Sequence, residues 1–424
     1  MLLNMERARG LMSDLGVDIL IATTPENVTY LSNYSAWGMW IYRGNTSKKG
    51  SQAYAIFPRD PGIAPALIPV SSGYTTFCYL ALTPSWIKEY YPYESKGWLG
   101  DLPEFKIPSD LLQVPEVSRI QKLVSEAQSR KSPSPGHALV RALKDRGLTK
   151  GIVALDTEGI SPAAREKLST ELPNLQLKDG CELFRLIRAV KTQEEIANLR
   201  NCARINELAF QGMIQMIRPG ITERQLVATH RAIVVAQGGN PTFLNVPAGP
   251  RSGLMWEPSD NVLHQGDTVW MDGGCSYKHY YSDTGMCAVL GEPTKRMREI
   301  YASVEAGINA ACDRIKPGGM LSPVHEALHD AIRRHGVERP FAMGHGIGIE
   351  ERDHPIIQKP FPSFDDGLLK GSYDLSLETG MVINIEVNHW EFGVGGLKSE
   401  VSTVVTPSGW ELLTPQERKM NVIA

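Results

Sequence analysis

The feature that most constrains this chain is a series of acidic residues and one histidine, placed along strand-like apolar runs between residues 272 and 400. Asp272 closes the apolar run 267–272, and Asp283 follows eleven positions later in a second, alternating run. Since alternate residues of a strand share a face, a spacing of eleven cannot put both carboxylates on one strand face. We therefore predict a hairpin whose turn lies at Gly273–Ser276 and brings the two carboxylates together.

A second pair of carboxylates is arranged in the same way. Glu386 ends the apolar run 381–386, Glu400 lies fourteen residues later, and the glycines of Gly393–Gly396 predict a turn between them. His345, in a Gly-His-Gly-Ile-Gly sequence, adds an imidazole nitrogen. Two hairpins are thus expected to offer four carboxylates to one space. This candidate ligand set consists of Asp272, Asp283, His345, Glu386 and Glu400.

Such a set is typical of a metal site. Four carboxylates packed together repel one another and take up protons unless cations neutralise them. Bridging carboxylates can hold two divalent ions about 3.5–4 Å apart, an arrangement that activates water. Oxygen donors with one imidazole favour manganese, iron or cobalt over a thiolate-type zinc site, and we expect two ions drawn from Mn, Fe, Co or Zn. The alternative is that Asp and Glu, being common, reach these spacings by chance.

The order of these residues resembles the creatinase/prolidase/methionine aminopeptidase superfamily, the pita-bread metallopeptidases. The similarity extends upstream to segments 187–196 and 217–223, and it is strong over residues 185–415. The resemblance implies an α/β (α+β) fold with a creatinase-like N-terminal domain at residues 1–180. It also implies a pita-bread, metal-binding catalytic domain of two pseudo-symmetric halves at residues 181–424.

The apolar patterns along the chain agree with that organisation. In the first half, strands are predicted at 17–22, 53–57 and 152–155, with helices at 6–15, 117–129, 137–144 and 162–169. The segment Pro25–Asn33 resembles the strand-to-helix connection of a creatinase-type N-terminal domain. In the second half, an apolar stripe that starts at Ile196 predicts one helix. Further helices are predicted at 223–237, 296–315 and 322–334.

The N-terminal half is also rich in exposed-looking aromatic residues. These include Trp37, Trp40, Tyr42, Trp86, Tyr90, Tyr91, Tyr93 and Trp98. We interpret them as packing a domain or dimer interface, which agrees with a homodimer. The alternative is that residues 37–43 form a lid over the metal site of a neighbouring subunit, where Arg43 would meet an acidic substrate group.

Composition narrows the possible partners and compartment. A net charge of -3 gives no bulk attraction to nucleic acid or to an anionic membrane. The first residues lack an apolar core of signal-peptide length, and no run approaches the ~18 apolar residues of a spanning helix, so we expect a cytoplasmic protein. The six cysteines lack CxxC pairing, which favours reduced thiols.

Several residues depart from the peptidase pattern around the intact ligand set. Met255 stands where peptidase relatives have a histidine that steadies the tetrahedral intermediate, and methionine can neither donate a proton nor carry charge. Arg352 stands seven residues after His345, where a second histidine is normal, and an arginine binds anions but cannot serve as a base. His354, two residues further on, could substitute for that histidine, or it could be an ordinary loop histidine.

Two further departures lie beside the ligands themselves. The Thr-Arg-Thr of relatives after the second Asp is replaced by 285–287, Gly-Met-Cys, and an arginine two before the last Glu is replaced by Lys398. Thr284 is retained as a possible hydrogen-bonding partner of a ligand. The metal set is therefore complete while its peptide-specific surroundings have changed.

We predict a hydrolase that attacks an amide or related C–N bond of a small-molecule or short-peptide substrate with metal-activated water. Glu386 and Glu351 are the candidate bases, although Glu351 could equally be a solvent-facing glutamate. Arg352 and His354 are the candidates for holding or protonating the substrate. The changed surroundings make ordinary Xaa-Pro dipeptides doubtful substrates.

Two other functions are compatible with the same residues. The chain also resembles the dimethylsulfoniopropionate lyases of this superfamily, in which the base corresponds to Glu351, so a metal-assisted lyase is the second hypothesis. A catalytically inactive binding module is the third, although relatives of that kind typically lose ligands and this chain retains all five.

Overall fold

The computed structural model describes residues 1–35, 52–69, 80, 85–94, 109–253, 257–338, 340–414 and 418–424. Over these ranges the chain forms two compact units. One comprises Met1–Ile187 and Asp365–Lys370, and the other comprises Arg188–Phe364 and Gly371–Ala424. The predicted lid at 37–43, with Arg43, lies outside the described residues, as do Met255 and Trp98. The assignment of residues 1–180 to a creatinase-like domain stays a prediction.

The N-terminal unit is built on a mixed six-stranded sheet. Its strands are β1 (Ile19–Ala22), β2 (Tyr54–Pro58), β3 (Ala66–Ile68), β4 (Glu89–Tyr90), β5 (Gly151–Leu155) and β6 (Leu175–Asp179), in the order β4-β3-β2-β1-β5-β6. Its helices are α1 (Met5–Asp14), α2 (Pro25–Ser32), α3 (Pro115–Gln128), α4 (Pro135–Lys144) and α5 (Pro162–Glu171), and α6 (Cys181–Ala189) crosses the division between the units. The predicted strands and helices of this half are confirmed to within a few residues.

One predicted element of this unit is wrong. The segment Pro25–Asn33 is the helix α2 itself rather than a strand-to-helix connection. Thr24 caps its first turn by accepting a hydrogen bond from the Asn27 amide, and Pro25 stands at the first helical position, where proline is favoured. Asn33 ends the helix in the left-handed conformation, with φ 59°. These capping residues are the sequence signal for a helix at this position.

The tyrosines of segment 90–93 are buried, contrary to the exposed positions predicted from the sequence. Tyr91 and Tyr93 belong to the apolar core of the N-terminal unit, and Tyr90 is buried as well. The Tyr93 hydroxyl donates to the Gln52 carbonyl at 2.6 Å, so the polar tip of the buried ring is satisfied. Tyr91 and Tyr93 therefore stabilise the unit's own core, and none of the three rings is a free surface.

The C-terminal unit alternates helix pairs with strands that are antiparallel except for one parallel pair. Its helices are α7 (Gln193–Met216), α8 (Glu223–Ala236), α9 (Lys295–Cys312) and α10 (Leu321–Arg334). Its strands are β7 (Asn240–Asn245), β8 (Thr268–Tyr277), β9 (Tyr280–Leu290), β10 (Phe341–Gly346), β11 (Asp353–Ile357), β14 (Val382–Glu391), β15 (Gly395–Thr406), β16 (Gly409–Leu412) and β17 (Asn421–Ile423). The short strands β12 (Ser363–Asp365) and β13 (Lys370–Ser372) pair with each other.

The order of elements in this unit repeats. Helices α7 and α8 precede the hairpin β8–β9 in a sheet of order β17-β9-β8-β7, and α9 and α10 precede β10 and the hairpin β14–β15 in a sheet of order β11-β10-β14-β15-β16. Each half has its own apolar core between helices and sheet. This duplication is the arrangement that the sequence predicted for a pita-bread fold.

The predicted turn at Gly273–Ser276 is wrong, because these residues lie inside β8. The turn is formed by Lys278 and His279, both with positive φ, as the two-residue hairpins that match strand twist require. Gly273 is needed for a different reason, since a Cβ there would lie 3.0 Å from the Phe243 carbonyl oxygen. The glycines of this strand permit close approach of neighbouring backbone rather than a reversal of the chain.

Within the described ranges, no helix combines the length and the apolar character needed to cross a membrane. Cys78 lies outside the described residues. The other cysteines are buried free thiols: Cys181, Cys202, Cys275, Cys287 and Cys312.

Candidate metal centre

The two hairpins of the C-terminal unit bring the four carboxylates of the candidate ligand set close together. On β8, Asp272 pairs across the ladder with Gly285 of β9, and Asp283 lies two residues before that glycine. On the other hairpin, Glu386 of β14 lies directly opposite Glu400 of β15. Strand β15 also packs against β8 and β9, so the two carboxylate pairs face one interior space.

His345 approaches the same space from β10, where it pairs with Asn384 of β14. Its Nδ1 lies 2.9 Å from the Gly346 carbonyl oxygen. Because a carbonyl only accepts, Nδ1 carries the hydrogen, and Nε2 of the neutral ring presents a lone pair. That Nε2 lies 3.4 Å from Asp283 Oδ2. A lone pair so close to a carboxylate oxygen is stable only with a proton or a metal ion between them.

Three members of the set form a compact group that fits a metal ion. Asp283, His345 and Glu400 each offer a ligand atom, and these atoms all lie within 4.8 Å of one another. Asp283 Oδ1 and His345 Nε2 are buried and make no hydrogen bond to any residue that the structure describes. Unsatisfied buried polar atoms are costly, and a cation satisfies them. The donors are those that manganese, iron, cobalt and zinc accept.

The other two members of the set are bound to a lysine. Lys398 Nζ lies 2.9 Å from Asp272 Oδ1, 3.0 Å from Glu386 Oε2 and 3.0 Å from Glu400 Oε2. The lysine side chain is fully buried. Because these carboxylates already face an ammonium, the five-residue set is divided, with Asp283 and His345 on one side, Asp272 and Glu386 on the other, and Glu400 shared.

Two asparagines orient the glutamates. Asn384 Nδ2 donates to Glu400 Oε1 at 2.7 Å, and Asn388 Nδ2 donates to Glu386 Oε2 at 2.9 Å. Trp270 Nε1 in turn donates to Asn388 Oδ1 at 3.2 Å. These supporting hydrogen bonds fix the carboxylate planes before any ligand binds.

Sequence reasoning missed these partners, although a signal for them was present. Asn384 and Asn388 stand two residues on either side of Glu386, and Lys398 stands two residues before Glu400. Residues two apart on a strand share a face. Each of the three residues therefore faces the same interior space as the glutamate next to it. Lys398 was recognised only as a departure from an arginine.

The electrostatics of the site reflect an excess of acid. Burial raises the pKa of Asp272 to about 7, with the charges of Asp283 and Glu386 adding to the effect and Lys398 opposing it. Burial and the Asp283 charge raise the pKa of Glu400 well above its usual range. Burial alone would lower the pKa of Lys398, but the surrounding carboxylates outweigh it, and its pKa is raised so that it stays cationic. One lysine does not neutralise the four carboxylates.

The remaining candidate catalytic residues lie near β11. Arg352 Nη2 lies 3.9 Å from Glu386 Oε1, and its side chain is 56% exposed, so the guanidinium can meet a substrate. His354 is buried, and its ring packs edge-on against Tyr373 with centroids 5.4 Å apart. Glu351 is half-buried in the bend before β11. The structure thus brings Arg352 to the carboxylates, while the catalytic roles of all these residues stay predictions.

Comparison with known proteins agrees with this architecture. The model of metallopeptidase family M24 matches residues 197–407. An Xaa-Pro dipeptidase of Lactobacillus delbrueckii subsp. lactis is 28% identical over 303 residues, which cover 69% of this chain and 78% of the relative. An Xaa-Pro dipeptidase of Pyrococcus furiosus is 30% identical over 244 residues, which cover 56% of this chain and 67% of the relative.

A solved structure shows the same fold over nearly the whole chain. The X-Pro aminopeptidase of Thermotoga maritima superimposes with a TM-score of 0.70 at 22% identity, covering 98% of this chain and 100% of that one. The chain therefore belongs to metallopeptidase family M24 and has its pita-bread fold. The family assignment supports a peptidase-type hydrolase.

Proposed function

We propose that this protein is a metal-dependent hydrolase that cleaves an amide C–N bond of a short peptide or a similar small substrate. The observation that carries the proposal is the buried group of Asp283, His345 and Glu400, whose ligand atoms face one another in a family M24 chain. Two of these side chains, Asp283 and His345, present a buried atom with no hydrogen bond to any described residue. The Xaa-Pro dipeptidases among its relatives support a small peptide-like substrate.

The protein's own residues prepare the site. A divalent ion held by these three side chains would lower the pKa of water toward about 7 and polarise the scissile carbonyl. The Gly346 carbonyl holds the His345 ring in the tautomer that leaves Nε2 free for an ion. The Asn384 amide holds one oxygen of Glu400 and so directs the other into the centre of the site.

Substrate binding and proton transfer are assigned to the residues at the edge of the site. Arg352 presents an exposed guanidinium beside Glu386, and its planar fork suits a substrate carboxylate. Glu351 and Glu386 are the candidate bases. His354 is the candidate for holding or protonating the substrate, a role that requires its ring to leave its packing against Tyr373.

The substrate is expected to differ from that of the peptidase relatives. Gly285 and Lys398, which depart from the peptidase pattern, lie directly against the carboxylates. We therefore expect ordinary Xaa-Pro dipeptides to be poor substrates. Nothing in the described residues favours the lyase alternative. A homodimer and a cytoplasmic location remain predictions.

A substrate screen tests the proposal. Protein loaded separately with manganese and iron is incubated with proline dipeptides, small amides and dimethylsulfoniopropionate in water labelled with oxygen-18. Hydrolysis predicts one labelled oxygen in the acid product. Release of dimethyl sulfide and acrylate would establish the lyase instead, and an absence of manganese, iron, cobalt and zinc from protein purified without chelator would favour a binding module.

A further inference from the structure

The ammonium of Lys398 lies within a ring of carboxylates where the sequence predicted a second metal ion. Its Nζ is 2.9–3.0 Å from an oxygen of each of Asp272, Glu386 and Glu400. On another side it lies 5.2 Å from the centre of the Trp270 ring, at a distance typical of a cation–π contact. The lysine side chain is fully buried, so water does not compete for these contacts.

A second departure from the family pattern makes room for this lysine. Position 285, the first of the three altered residues after Asp283, is a glycine that pairs with Asp272 across the ladder. A Cβ at Gly285 would overlap the Cδ and Cε atoms of Lys398 and lie 2.6 Å from Glu400 Oε2. Any larger residue at 285 would therefore push the lysine out of its position. The glycine and the lysine form one coupled change, not two independent substitutions.

The Asp272 and Glu386 oxygens that contact the lysine cannot also bind a second metal ion. Divalent ions lie about 2.0–2.2 Å from their carboxylate ligands. An ion bound between Asp272 Oδ1 and Glu386 Oε2 would occupy the space where Nζ already contacts both atoms. Two cations in contact also repel strongly in a buried site of low dielectric constant.

We propose that Lys398 is a built-in cation that takes the place of a second metal ion, so that the site holds a single divalent ion bound by Asp283, His345 and Glu400. The proposal rests on the metal-dependent function proposed above. In it, Asp272 and Glu386 are positioning residues for the lysine and do not ligate metal. The positive charge beside the substrate then comes partly from a side chain that cannot be removed by chelators.

Metal stoichiometry tests this directly. Protein purified without chelator is saturated with Mn²⁺, passed through a desalting column and assayed for manganese per chain, and its electron paramagnetic resonance spectrum is recorded. We expect one Mn²⁺ per chain with the spectrum of an isolated ion. Lys398→Met should raise the ratio to two and give the spectrum of a coupled pair, whereas the exposed-lysine control Lys295→Met should leave it at one.

Two outcomes would overturn the role of Lys398: a ratio of two in the unaltered protein, or a ratio of one in a folded Lys398→Met variant. A ratio of zero in the unaltered protein would contradict the metal-dependent function itself. If Lys398→Met does not fold, the pair Asp272→Asn and Asp283→Asn decides. A single-ion site predicts loss of manganese only for Asp283→Asn, and loss in both variants would contradict it.

Discussion

Two buried clusters of charged side chains in the C-terminal unit differ in how their charge is balanced. In the first, the Asp353 carboxylate lies 3.2 Å from Arg188 Nη2 and 3.4 Å from Lys191 Nζ, and Arg188 also pairs with Glu350 at 2.9 Å. Two cations thus face two carboxylates. The second cluster is the candidate ligand set, where Lys398 contacts three carboxylates and a fourth, that of Asp283, lies against His345.

The difference appears in the pKa values of two buried carboxyls, those of Asp353 and Asp272. Burial raises the pKa of Asp353, but Arg188 and Lys191 outweigh it and hold that pKa far below its usual range. Burial raises the pKa of Asp272 to about 7 because Lys398 does not offset both burial and the neighbouring carboxylates. A cluster balanced by its own side chains needs no further charge, whereas a buried cluster with excess acid favours protonation or a bound cation.

The largest expected effect is in the acid-rich cluster. Asp283→Ala removes a ligand that no side chain can replace, so metal affinity should fall by more than about 100-fold and activity should be lost. Metal content and turnover, measured on the same preparation, check this. A variant with full metal content would contradict the assignment of Asp283 as a ligand.

The balanced cluster should respond in the opposite way. Asp353→Ala leaves two buried cations without their partner and should lower the free energy of unfolding by about 3–5 kcal/mol. Urea denaturation measures this, and the folded fraction should keep its metal. The exposed carboxylate of Asp260, paired with Arg224, provides a control whose removal should cost less than about 1 kcal/mol. An equal loss of unfolding free energy in the Asp353 and Asp260 variants would show that the Asp353 carboxylate is not needed to balance the two buried cations.

A smaller, purely kinetic effect is expected at the edge of the acid-rich cluster. Glu351→Gln should slow turnover by about 100-fold, the typical contribution of a general base, while leaving the manganese content unchanged. The exposed Glu326→Gln serves as a control. Unchanged turnover in Glu351→Gln would remove Glu351 from the mechanism, and loss of metal would make it a structural residue of the site.

A further buried titratable group of the C-terminal unit, His230, is kept neutral by its surroundings. His230 Nε2 donates to Asn206 Oδ1 at 3.0 Å, and Asn206 donates to the Gly273 carbonyl beside Asp272. Burial, followed by the charge of Arg231, lowers the pKa of His230 to about 4. The unfolded chain therefore takes up this proton first as the pH falls, and stability should drop between about pH 6.5 and pH 4.

The decrease in the free energy of unfolding attributable to His230 should reach about 2 kcal/mol at pH 5. Denaturation curves at pH 7 and pH 5 measure it, with His230→Gln as the matched variant, whose amide can still donate to Asn206. The variant should lose less stability between the two pH values than the unaltered protein. An identical loss in both would show that His230 is not the group responsible.

The sequence predicted those parts of the molecule that depend on local spacing. The helices of the C-terminal unit follow their apolar stripes, and the opposed positions of Glu386 and Glu400 follow from a hairpin with a glycine-rich turn. The turn of β8–β9 was misplaced because Gly273 and Gly274 serve a close approach between strands, and that neighbour is not visible in the local sequence.

The division of the ligand set by Lys398 could not be predicted for a related reason. Lys398 shares a strand face with Glu400, but its ammonium reaches the Asp272 and Glu386 carboxylates only because position 285 on another strand lacks a Cβ. Such a contact depends on the three-dimensional pairing of β8, β9 and β15. The burial of Tyr91 and Tyr93 likewise depends on which helices cover the N-terminal sheet.

The most direct test of this account is a crystal structure of the manganese-loaded protein with anomalous diffraction recorded near the manganese absorption edge. The account predicts one anomalous peak per chain, bound by Asp283, His345 and Glu400, with Lys398 Nζ still in contact with Asp272 and Glu386. A second peak between Asp272 and Glu386 with the lysine displaced, or no peak beside His345, would contradict it.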